Sequence, residues 1–229
     1  MRRIVSCIML SLFLAGTLTL VFNVGLVRAQ GETVYINSDG SVSPSSAPIS
    51  SVDNVTYTFT GNMSYPTYNG IVVERNNTVI DGNGYTMQGN LSGVQTQKTL
   101  GSYVNSVGIN LMGASNVTIE NANVGHFMIG IYVINSNNNV IRSNDAMVNY
   151  YGIFLNSSSS NIVGENNATA NAWGIYFSYS SNNTVIGNNA TANTSGICMA
   201  FSSSNNTDQL PVLHVRPLNR TGYDNARIS

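Results

Sequence analysis

Charged residues are scarce in this chain of 229 amino acids: Asp, Glu, Lys and Arg together make up 8% of it. Soluble globular domains usually contain about a quarter. The formal net charge is −1 and lysine and arginine form no cluster, so nucleic acid is not expected as a partner. Cysteine is scarce as well. Of the 2 cysteines, Cys7 lies in the apolar N-terminal stretch, so Cys198 has no partner for an internal disulfide bond.

Long apolar runs are absent except at the N-terminus. Residues 1–29 begin with Arg2 and Arg3, continue through an apolar stretch over residues 4–27, and end with the small residue Ala29. This order predicts a secretory signal peptide. The stretch is longer than the about 7–15 apolar residues of most signals and approaches the length that spans a bilayer. A retained anchor, which would tether the protein to a membrane through residues 4–27, therefore stays an alternative. Both predict an extracellular, periplasmic or cell-surface location.

The strongest pattern in the sequence is a 22-residue repeat (130−108, 152−130 and so on) marked by a Gly-Ile pair. The five pairs are Gly108-Ile109, Gly130-Ile131, Gly152-Ile153, Gly174-Ile175 and Gly196-Ile197. A fixed period in the low twenties, with β-branched residues and Asn-rich turns, is typical of a β-solenoid.

Apolar residues recur with the same period in three sets per coil. The first set comprises the Ile of each pair together with Leu111, Val133, Leu155, Phe177 and Met199. The second comprises Ile119, Ile141, Val163 and Val185, and the third comprises Val124, Ala146, Ala168 and Ala190, with Val148, Ala170 and Ala192 two places later. Because alternate residues of a strand share a face, each set is expected to point inward. Three short strands per coil predict a parallel β-helix.

Asparagines form three further columns between the predicted strands. They are Asn139, Asn161, Asn183 and Asn205; Asn144, Asn166 and Asn188; and Asn149, Asn171 and Asn193. Asparagine tolerates the left-handed backbone of tight corners, and amides stacked in register can bond to the coils above and below. We therefore expect these columns to be structural.

The segment from Gly70 to Gly89, GIVVERNNTVIDGNGYTMQG, resembles the opening of a right-handed parallel β-helix protein. The coils built on Ser-Asn-Asn-Thr-Val-Ile-Gly-Asn and Gly-Ile-Tyr-Phe fit the same group. Over about residues 55–207 the chain is most similar to the NosD-like, periplasmic copper-binding family, particularly its secreted archaeal members. The resemblance implies an all-β, right-handed parallel β-helix, and an accessory role in copper delivery is one function that it suggests.

The predicted domain organisation has four parts. Residues 1–29 are the signal peptide or anchor, residues 30–60 an N-terminal cap with a Ser/Pro-rich link, residues 61–207 the parallel β-helix, and residues 208–229 an irregular tail. The first coil is interrupted: Gly70 and Gly108 are 38 residues apart (108−70), so 16 residues (38−22) are inserted between Gln88 and Ser106. Insertions in solenoids leave the coil as loops.

A catalytic site is not apparent from the acidic residues. Glycoside hydrolysis needs two carboxylates a few ångströms apart, whereas the acids here are scattered along the chain. Asp81 and Glu120 are the candidates expected to be least exposed, but Asp81 lies in Asp-Gly-Asn-Gly, which predicts a turn. We therefore predict no catalytic residue, and a carbohydrate-active enzyme of the lyase, hydrolase or epimerase type stays an alternative.

A copper site would need His, Met or Cys side chains gathered together. His126 and Met128 lie two residues apart and are the candidates for metal binding, although the sequence around them also fits a corner between strands. No His, Met or Cys motif repeats along the coils. We therefore predict no metal site and no cofactor.

Aromatic residues line one flank of the predicted coils. The residue after each Gly-Ile pair points outward and is Tyr132, Phe154 or Tyr176 in three coils, and Tyr151 and Trp173 precede the glycine in two. Stacked at the strand spacing of about 4.8 Å, these rings predict an aromatic strip. The strip is either a stabilising seam, covered by the tail or another chain, or a platform for polysaccharide.

The prediction is therefore a secreted or cell-surface β-helix module, non-catalytic, that interacts with carbohydrate or with another surface protein. Asn-X-Ser/Thr sequons, which mark acceptors for N-glycosylation, are frequent in the chain. They begin at Asn54, Asn62, Asn76, Asn90, Asn116, Asn156, Asn167, Asn182, Asn189, Asn193, Asn205 and Asn219.

Overall fold

The computed structural model describes residues 29–30, 32–65, 69–91 and 106–209. This part of the chain consists of β-strands and turns and contains no helix, and accordingly no helix within it is long and apolar enough to cross a membrane. The predicted signal or anchor lies outside the described residues except for Ala29. The strands pair into two 8-stranded sheets and one 6-stranded sheet, which we name sheets I, II and III.

Each coil contributes one strand to each sheet. Sheet I contains β2 (Val34–Ile36), β3 (Val42–Ser43), β7 (Ile71–Val73), β10 (Val107–Met112), β13 (Ile129–Ile134), β16 (Tyr151–Asn156), β19 (Trp173–Ser178) and β21 (Ser195–Ala200). Sheet II contains β4 (Ile49–Ser50), β5 (Thr56–Phe59), β8 (Thr78–Asp81), β11 (Val117–Glu120), β14 (Val140–Arg142), β17 (Ile162–Gly164), β20 (Thr184–Ile186) and β22 (Thr207–Gln209). Sheet III contains β1 (Ala29–Gln30), β6 (Met63–Ser64), β9 (Thr86–Gln88), β12 (Asn123–Gly125), β15 (Asp145–Met147) and β18 (Asn167–Thr169).

Neighbouring coils pair in parallel and in register with the 22-residue period. Ile131 pairs with Ile153 in sheet I, and Val163 pairs with Val185 in sheet II. The prediction of an all-β parallel β-helix with three short strands per coil is confirmed, while its right-handed sense stays a prediction. Sheet III has one strand per turn and is 6-stranded, so the solenoid makes about six turns.

The sheets begin before residue 61, where the sequence placed the first coil. Strand β2 pairs in parallel with β7, and β5 pairs in parallel with β8. Two short strands, β3 and β4, pair antiparallel with β2 and β5 at the N-terminal end of sheets I and II. These two strands cover backbone groups that the first coil would otherwise expose. At the other end, β22 continues sheet II to Gln209.

The interior of the coil is a single apolar core. Ile153 and Leu155 in sheet I, Val163 in sheet II and Ala168 in sheet III are each 0% exposed. The inward position of the first, second and main third set is thereby confirmed. The small alanines of sheet III face the larger residues of the other two sheets, and this arrangement fills the narrow interior without voids.

The continuation of the third set was predicted wrongly. Val148 and Ala170 are only half-buried and Ala192 is exposed, and all three have a left-handed backbone with φ of 58°, 56° and 56°. Strand β15 ends at Met147, so the chain already turns at Val148. The next inward residue is then the asparagine that follows, Asn149, which is fully buried.

Left-handed residues mark the corners of every coil, and each one directly precedes an inward side chain. Ser160 (φ 59°), Glu165 (φ 56°) and Ala170 (φ 56°) precede the buried Asn161, Asn166 and Asn171. The expectation that the column asparagines themselves adopt this conformation is therefore wrong for these columns. A left-handed residue rotates the chain at the corner, so that the next side chain points into the coil.

The asparagine columns are hydrogen-bonded ladders inside the corners. Asn161 accepts at Oδ1 from the backbone N of Asn139 (2.9 Å), and its Nδ2 donates to the carbonyl of Ser136 (3.1 Å) and to Oδ1 of Asn183 (3.1 Å). The other two columns repeat this pattern. Buried backbone groups need such partners, so the structural interpretation of these columns is confirmed.

The last rung of the first ladder is Asn206 rather than the predicted Asn205. Asn206 accepts from the backbone N of Asn183 (2.8 Å), whereas Asn205 is exposed. The final coil contains one more residue than the period, where Phe201 and Ser202 both have positive φ. Every rung after this position is shifted by one.

Serines form a fourth ladder that the sequence did not reveal. The backbone N of Ala114 donates to Oγ of Ser136 (3.0 Å), and the same contact joins Ser136 to Ser158 (3.1 Å) and Ser158 to Ser180 (3.1 Å). These serines are 0% exposed. They fill the turn between sheets I and II, where a larger side chain would not fit beside the asparagine ladder.

Candidate functional site

The outer face of sheet I is where the chain concentrates aromatic residues. Strands β13, β16, β19 and β21 contain no charged residue. In register, Tyr132 pairs with Phe154, and Phe154 pairs with Tyr176. Tyr151 and Trp173 pair in the neighbouring column. We call these five residues the aromatic strip.

The rings of the aromatic strip touch one another continuously across three coils. The centroids of Tyr132 and Phe154 are 5.1 Å apart, those of Phe154 and Tyr176 5.2 Å, and those of Trp173 and Tyr176 5.1 Å. Tyr151 stacks on Phe154 at 4.9 Å. These distances and tilted arrangements are those that aromatic pairs prefer. The structure thus brings all five predicted residues together.

The strip is half-buried rather than fully exposed. Tyr150, Ala172 and Leu91 form a small apolar cluster outside the coil, with Met128, Tyr151 and Trp173 packed against it. Leu91 comes from the segment that leaves the first coil after β9. One edge of the strip is therefore fixed by packing, while part of each ring still contacts solvent.

Burial keeps the phenols of the strip neutral. Desolvation, followed by the neighbouring Tyr150, Tyr176 and Cys198, raises the pKa of Tyr151 to about 12. Desolvation also raises the pKa of Tyr176 and that of the Cys198 thiol at the end of the column. The strip consequently offers uncharged rings and protonated hydroxyl groups at physiological pH.

Polar groups border the strip on the side of the I–II turn. Nδ2 of Asn156 donates to the hydroxyl of Tyr132 (3.2 Å), and Ser178 follows in the same column one coil later. An uncharged aromatic surface edged by amides and hydroxyls can bind a ligand that has both apolar faces and hydroxyl groups.

His126 and Met128 lie at the corner between β12 and β13 and are not brought together with other metal ligands. His126 has a left-handed backbone (φ 64°), and its Nδ1 lies 2.9 Å from the Leu91 carbonyl. Because a carbonyl only accepts, Nδ1 carries the proton. The Met128 side chain packs against the small apolar cluster. Within residues 29–209 as described, no group of three His, Cys, Asp or Glu residues could hold a metal ion.

Two acids that are distant in sequence are neighbours in sheet II. Asp81 pairs in register with Glu120, although 39 residues separate them (120−81). Arg142, one coil further, forms an ion pair with Glu120 at 2.6 Å. Asp81 accepts from the backbone N of Asn83 (2.9 Å) and from Nδ2 of Asn121 (3.1 Å). The insertion after β9 hid this pair, because the two acids do not differ by one period.

A second aromatic pair lies at the turn after sheet I and was missed in the sequence. The rings of Tyr179 and Phe201 are nearly parallel (18°) with centroids 5.5 Å apart. They are 59% and 55% exposed. The two residues are one period apart (201−179 = 22), so the repeat itself could have revealed them.

Comparison with known proteins gives one match. Residues 25–207 match a family model described as Periplasmic copper-binding protein (NosD), and this segment includes every strand from β1 to β21. No curated protein and no solved structure shows significant similarity to the chain.

Proposed function

The chain belongs to the NosD family, whose description is periplasmic copper-binding protein, and we propose that it acts outside the cytoplasm as a non-catalytic β-helix module that binds carbohydrate along the aromatic strip. The family membership and the solenoid support a periplasmic β-helix protein. The ligand and the absence of catalysis are the parts that we propose.

The continuity of the aromatic strip is the observation that carries this proposal. Five rings in contact present a surface that extends across three coils of sheet I. Aromatic side chains bind sugars through the apolar C–H faces of the sugar ring, while nearby polar groups bind its hydroxyls. Asn156 and the phenol of Tyr132 lie beside the rings and can exchange hydrogen bonds with such hydroxyls.

The electrostatics of the strip favour a neutral polysaccharide. None of the four sheet I strands that form the surface carries a charged side chain, and the raised pKa of Tyr151 keeps its phenol protonated. An anionic sugar would gain no ion pair here and would lose hydration on contact with half-buried rings. A neutral chain avoids this cost.

Copper binding does not fit the described residues. A copper site needs several nitrogen or sulfur ligands at one place. The Nδ1 of His126 is already bonded to Leu91, Met128 is packed in the apolar cluster, and the Cys198 thiol lies on the strip with a raised pKa. These three side chains lie on different elements, and we assign no metal to them.

The acid pair of sheet II favours a structural role over catalysis. The Glu120 carboxylate is neutralised by Arg142, and the Asp81 carboxylate is used to fix the Asp-Gly-Asn-Gly turn and the next coil. A general acid and a nucleophile would each need an oxygen available to the substrate. This is why we propose a binding module rather than an enzyme.

Affinity gel electrophoresis tests the proposal. The purified protein is run through native gels that contain neutral polysaccharides (glucans, mannans, galactans) or acidic ones (alginate, pectate), and retardation measures binding. We expect retardation by at least one neutral polysaccharide. The double variant Trp173→Ala/Tyr176→Ala should lose this retardation while its circular dichroism spectrum stays that of a β-helix.

The matched control is Ile162→Ala/Ile186→Ala, which removes two exposed apolar side chains from sheet II. This variant should be retarded as strongly as the wild type. Equal loss in both double variants would mean that general hydrophobicity, not the strip, retards the protein. Lack of retardation in every polysaccharide, or release of sugars from any of them, would overturn the proposed module.

A further inference from the structure

The turn between sheets I and II exposes a column of corner residues on every coil. In the last four described coils these are Asn138, Ser160, Asn182 and Asn205, with φ of 59°, 59°, 57° and 54°. Each precedes a buried ladder asparagine, so its own side chain points away from the coil. Asn138, Asn182 and Asn205 are exposed.

Asn182 combines this position with a sequon. The sequence Asn182-Asn183-Thr184 has the Asn-X-Thr pattern, which marks acceptors for N-glycosylation on protein surfaces. Within the described residues, the Asn182 side chain makes no hydrogen bond, while its backbone N donates to the Ser204 carbonyl (3.0 Å). The amide is therefore presented on a fixed backbone.

Other sequons of the solenoid use their amides for internal contacts. Nδ2 of Asn193 donates to the Ala168 carbonyl (2.7 Å), and Nδ2 of Asn167 donates to the Asp145 carboxylate (2.9 Å). Nδ2 of Asn156 donates to the Tyr132 hydroxyl (3.2 Å). A bulky substituent on these nitrogens would disturb a ladder or the strip, so geometry separates them from Asn182.

An exposed ring lies next to Asn182. Tyr179 precedes it by three residues and is 59% exposed. One face of Tyr179 stacks on Phe201 in the next coil. The equivalent residue one coil earlier is Ser157, which has no ring to stack on the other face. A bulky residue at positive φ (50° for Tyr179) is uncommon, and this conformation keeps its ring at the surface beside Asn182.

We propose that Asn182 is an N-glycosylation site and that the first sugar packs on the exposed face of Tyr179. This goes beyond the proposed function, since none of these residues belongs to the aromatic strip. The sugar covers an apolar ring that the fold leaves in contact with water, and its C–H face provides the contact.

The modification needs a lipid-phosphate-linked oligosaccharide and the membrane transferase that uses it. Nδ2 of Asn182 forms a bond to C1 of the first sugar. The bond between C1 and the phosphate oxygen breaks, and the lipid phosphate leaves with the bonding electrons. The amide loses one proton, so one Nδ2–H remains. Residues of this kind are accessible to a transferase only outside the cytoplasm, where the family places this protein.

Peptide mass spectrometry of the protein purified from its native cells tests the assignment. The peptide that contains Asn182 should carry added sugar mass, and the peptides with Asn167 and Asn193 should not. An unmodified Asn182, or equal occupancy of Asn167 and Asn193, would overturn the site.

Thermal unfolding of protein purified from the same cells tests the packing on Tyr179. Thr184→Val removes the sequon with a nearly isosteric side chain and should lower Tm in the wild type. It should leave Tm unchanged in a Tyr179→Ser background. Equal losses in both backgrounds would overturn the contact with the ring.

Val140→Thr supplies the matched control. It creates an Asn-X-Thr sequon that begins at Asn138, at the same corner two coils earlier, where the aromatic position is occupied by Asn135. This variant should gain sugar mass at Asn138 without a rise in Tm. A Tm gain equal to that from Asn182 would show that the sugar stabilises the corner without Tyr179.

Discussion

Asn171 occupies the space that a side chain on Gly152 would need. A Cβ placed on Gly152 would lie 2.8 Å from Nδ2 of Asn171 and 2.5 Å from the carbonyl oxygen of Gly174. Gly130 and Gly174 have the same relationship to Asn149 and Asn193. The Gly of each Gly-Ile pair and the ladder asparagine of the following coil are therefore two parts of one corner.

Replacing Gly152 with Ala should destabilise the protein. The Cβ would push against the backbone and against a ladder amide that cannot move without breaking its own bonds. Overpacking of this kind costs about 1–3 kcal/mol, which urea denaturation would measure as a lower midpoint.

Gly61→Ala is the matched control, because a Cβ at Gly61 would meet only Pro48, at 3.6 Å. This variant should have the stability of the wild type. Equal effects of the two substitutions would contradict the steric explanation of the Gly-Ile repeat.

The repeat made most of the fold predictable. Because the period is constant from Gly108 to Gly196, comparison of positions 22 apart identified the inward columns and the ladders. The prediction failed where the corner geometry decides orientation, as at Val148, since an apolar side chain two places along looked like a strand position. It also failed at Asn206, because one extra residue shifts the last coil.

The sites were less predictable than the fold. The aromatic strip followed from the period, but its partial burial depends on Leu91, which comes from outside the repeat. The neighbouring position of Asp81 and Glu120 depends on the length of an insertion. The buried Ser158 ladder was hidden because serine is also frequent at exposed turns, so its recurrence carried no clear meaning.

Asn161→Asp should destabilise the solenoid although it changes only one atom type. The Asn161 amide donates to Ser136 and Asn183. A carboxylate would instead face these two oxygens and would leave them without a donor inside a buried corner. Loss of such buried partners costs about 1–3 kcal/mol, and more for a charged group.

The Asn161→Asp variant should recover stability as pH falls. Burial raises the pKa of the new carboxyl in the folded state above its unfolded value of about 3.9. The folded state then binds more protons, so stability decreases as pH rises between the two pKa values. Asn138→Asp, at an exposed corner, should show neither effect in thermal unfolding at pH 4 and pH 7. The same loss in both variants would contradict the ladder.

Tyr151 should make the protein sensitive to alkali. Its pKa in the folded state is raised to about 12, above the ordinary value of about 10. The contribution to stability is complete below pH 10 and is lost as pH rises through 12, because the unfolded state releases the proton first.

Tyr151→Phe removes this ionisation and should lose less stability than the wild type between pH 10 and 12, measured as Tm against pH. The other tyrosines titrate in both proteins, so the difference between the two curves isolates Tyr151. Curves that stay parallel over this range would show that Tyr151 ionises in the folded state as it does in water.

The single tryptophan of the chain gives the most direct test of carbohydrate binding by the strip. Trp173 contacts Tyr176 within the strip, so its fluorescence reports on this surface alone. Titration with the neutral polysaccharide that retards the protein most should shift the emission of Trp173 to the blue and saturate. Tyr176→Ala should weaken the apparent affinity, and Ile186→Ala should leave it unchanged. Binding detected in gels without any change in Trp173 emission would contradict the central claim, because the ligand would then lie elsewhere on the solenoid.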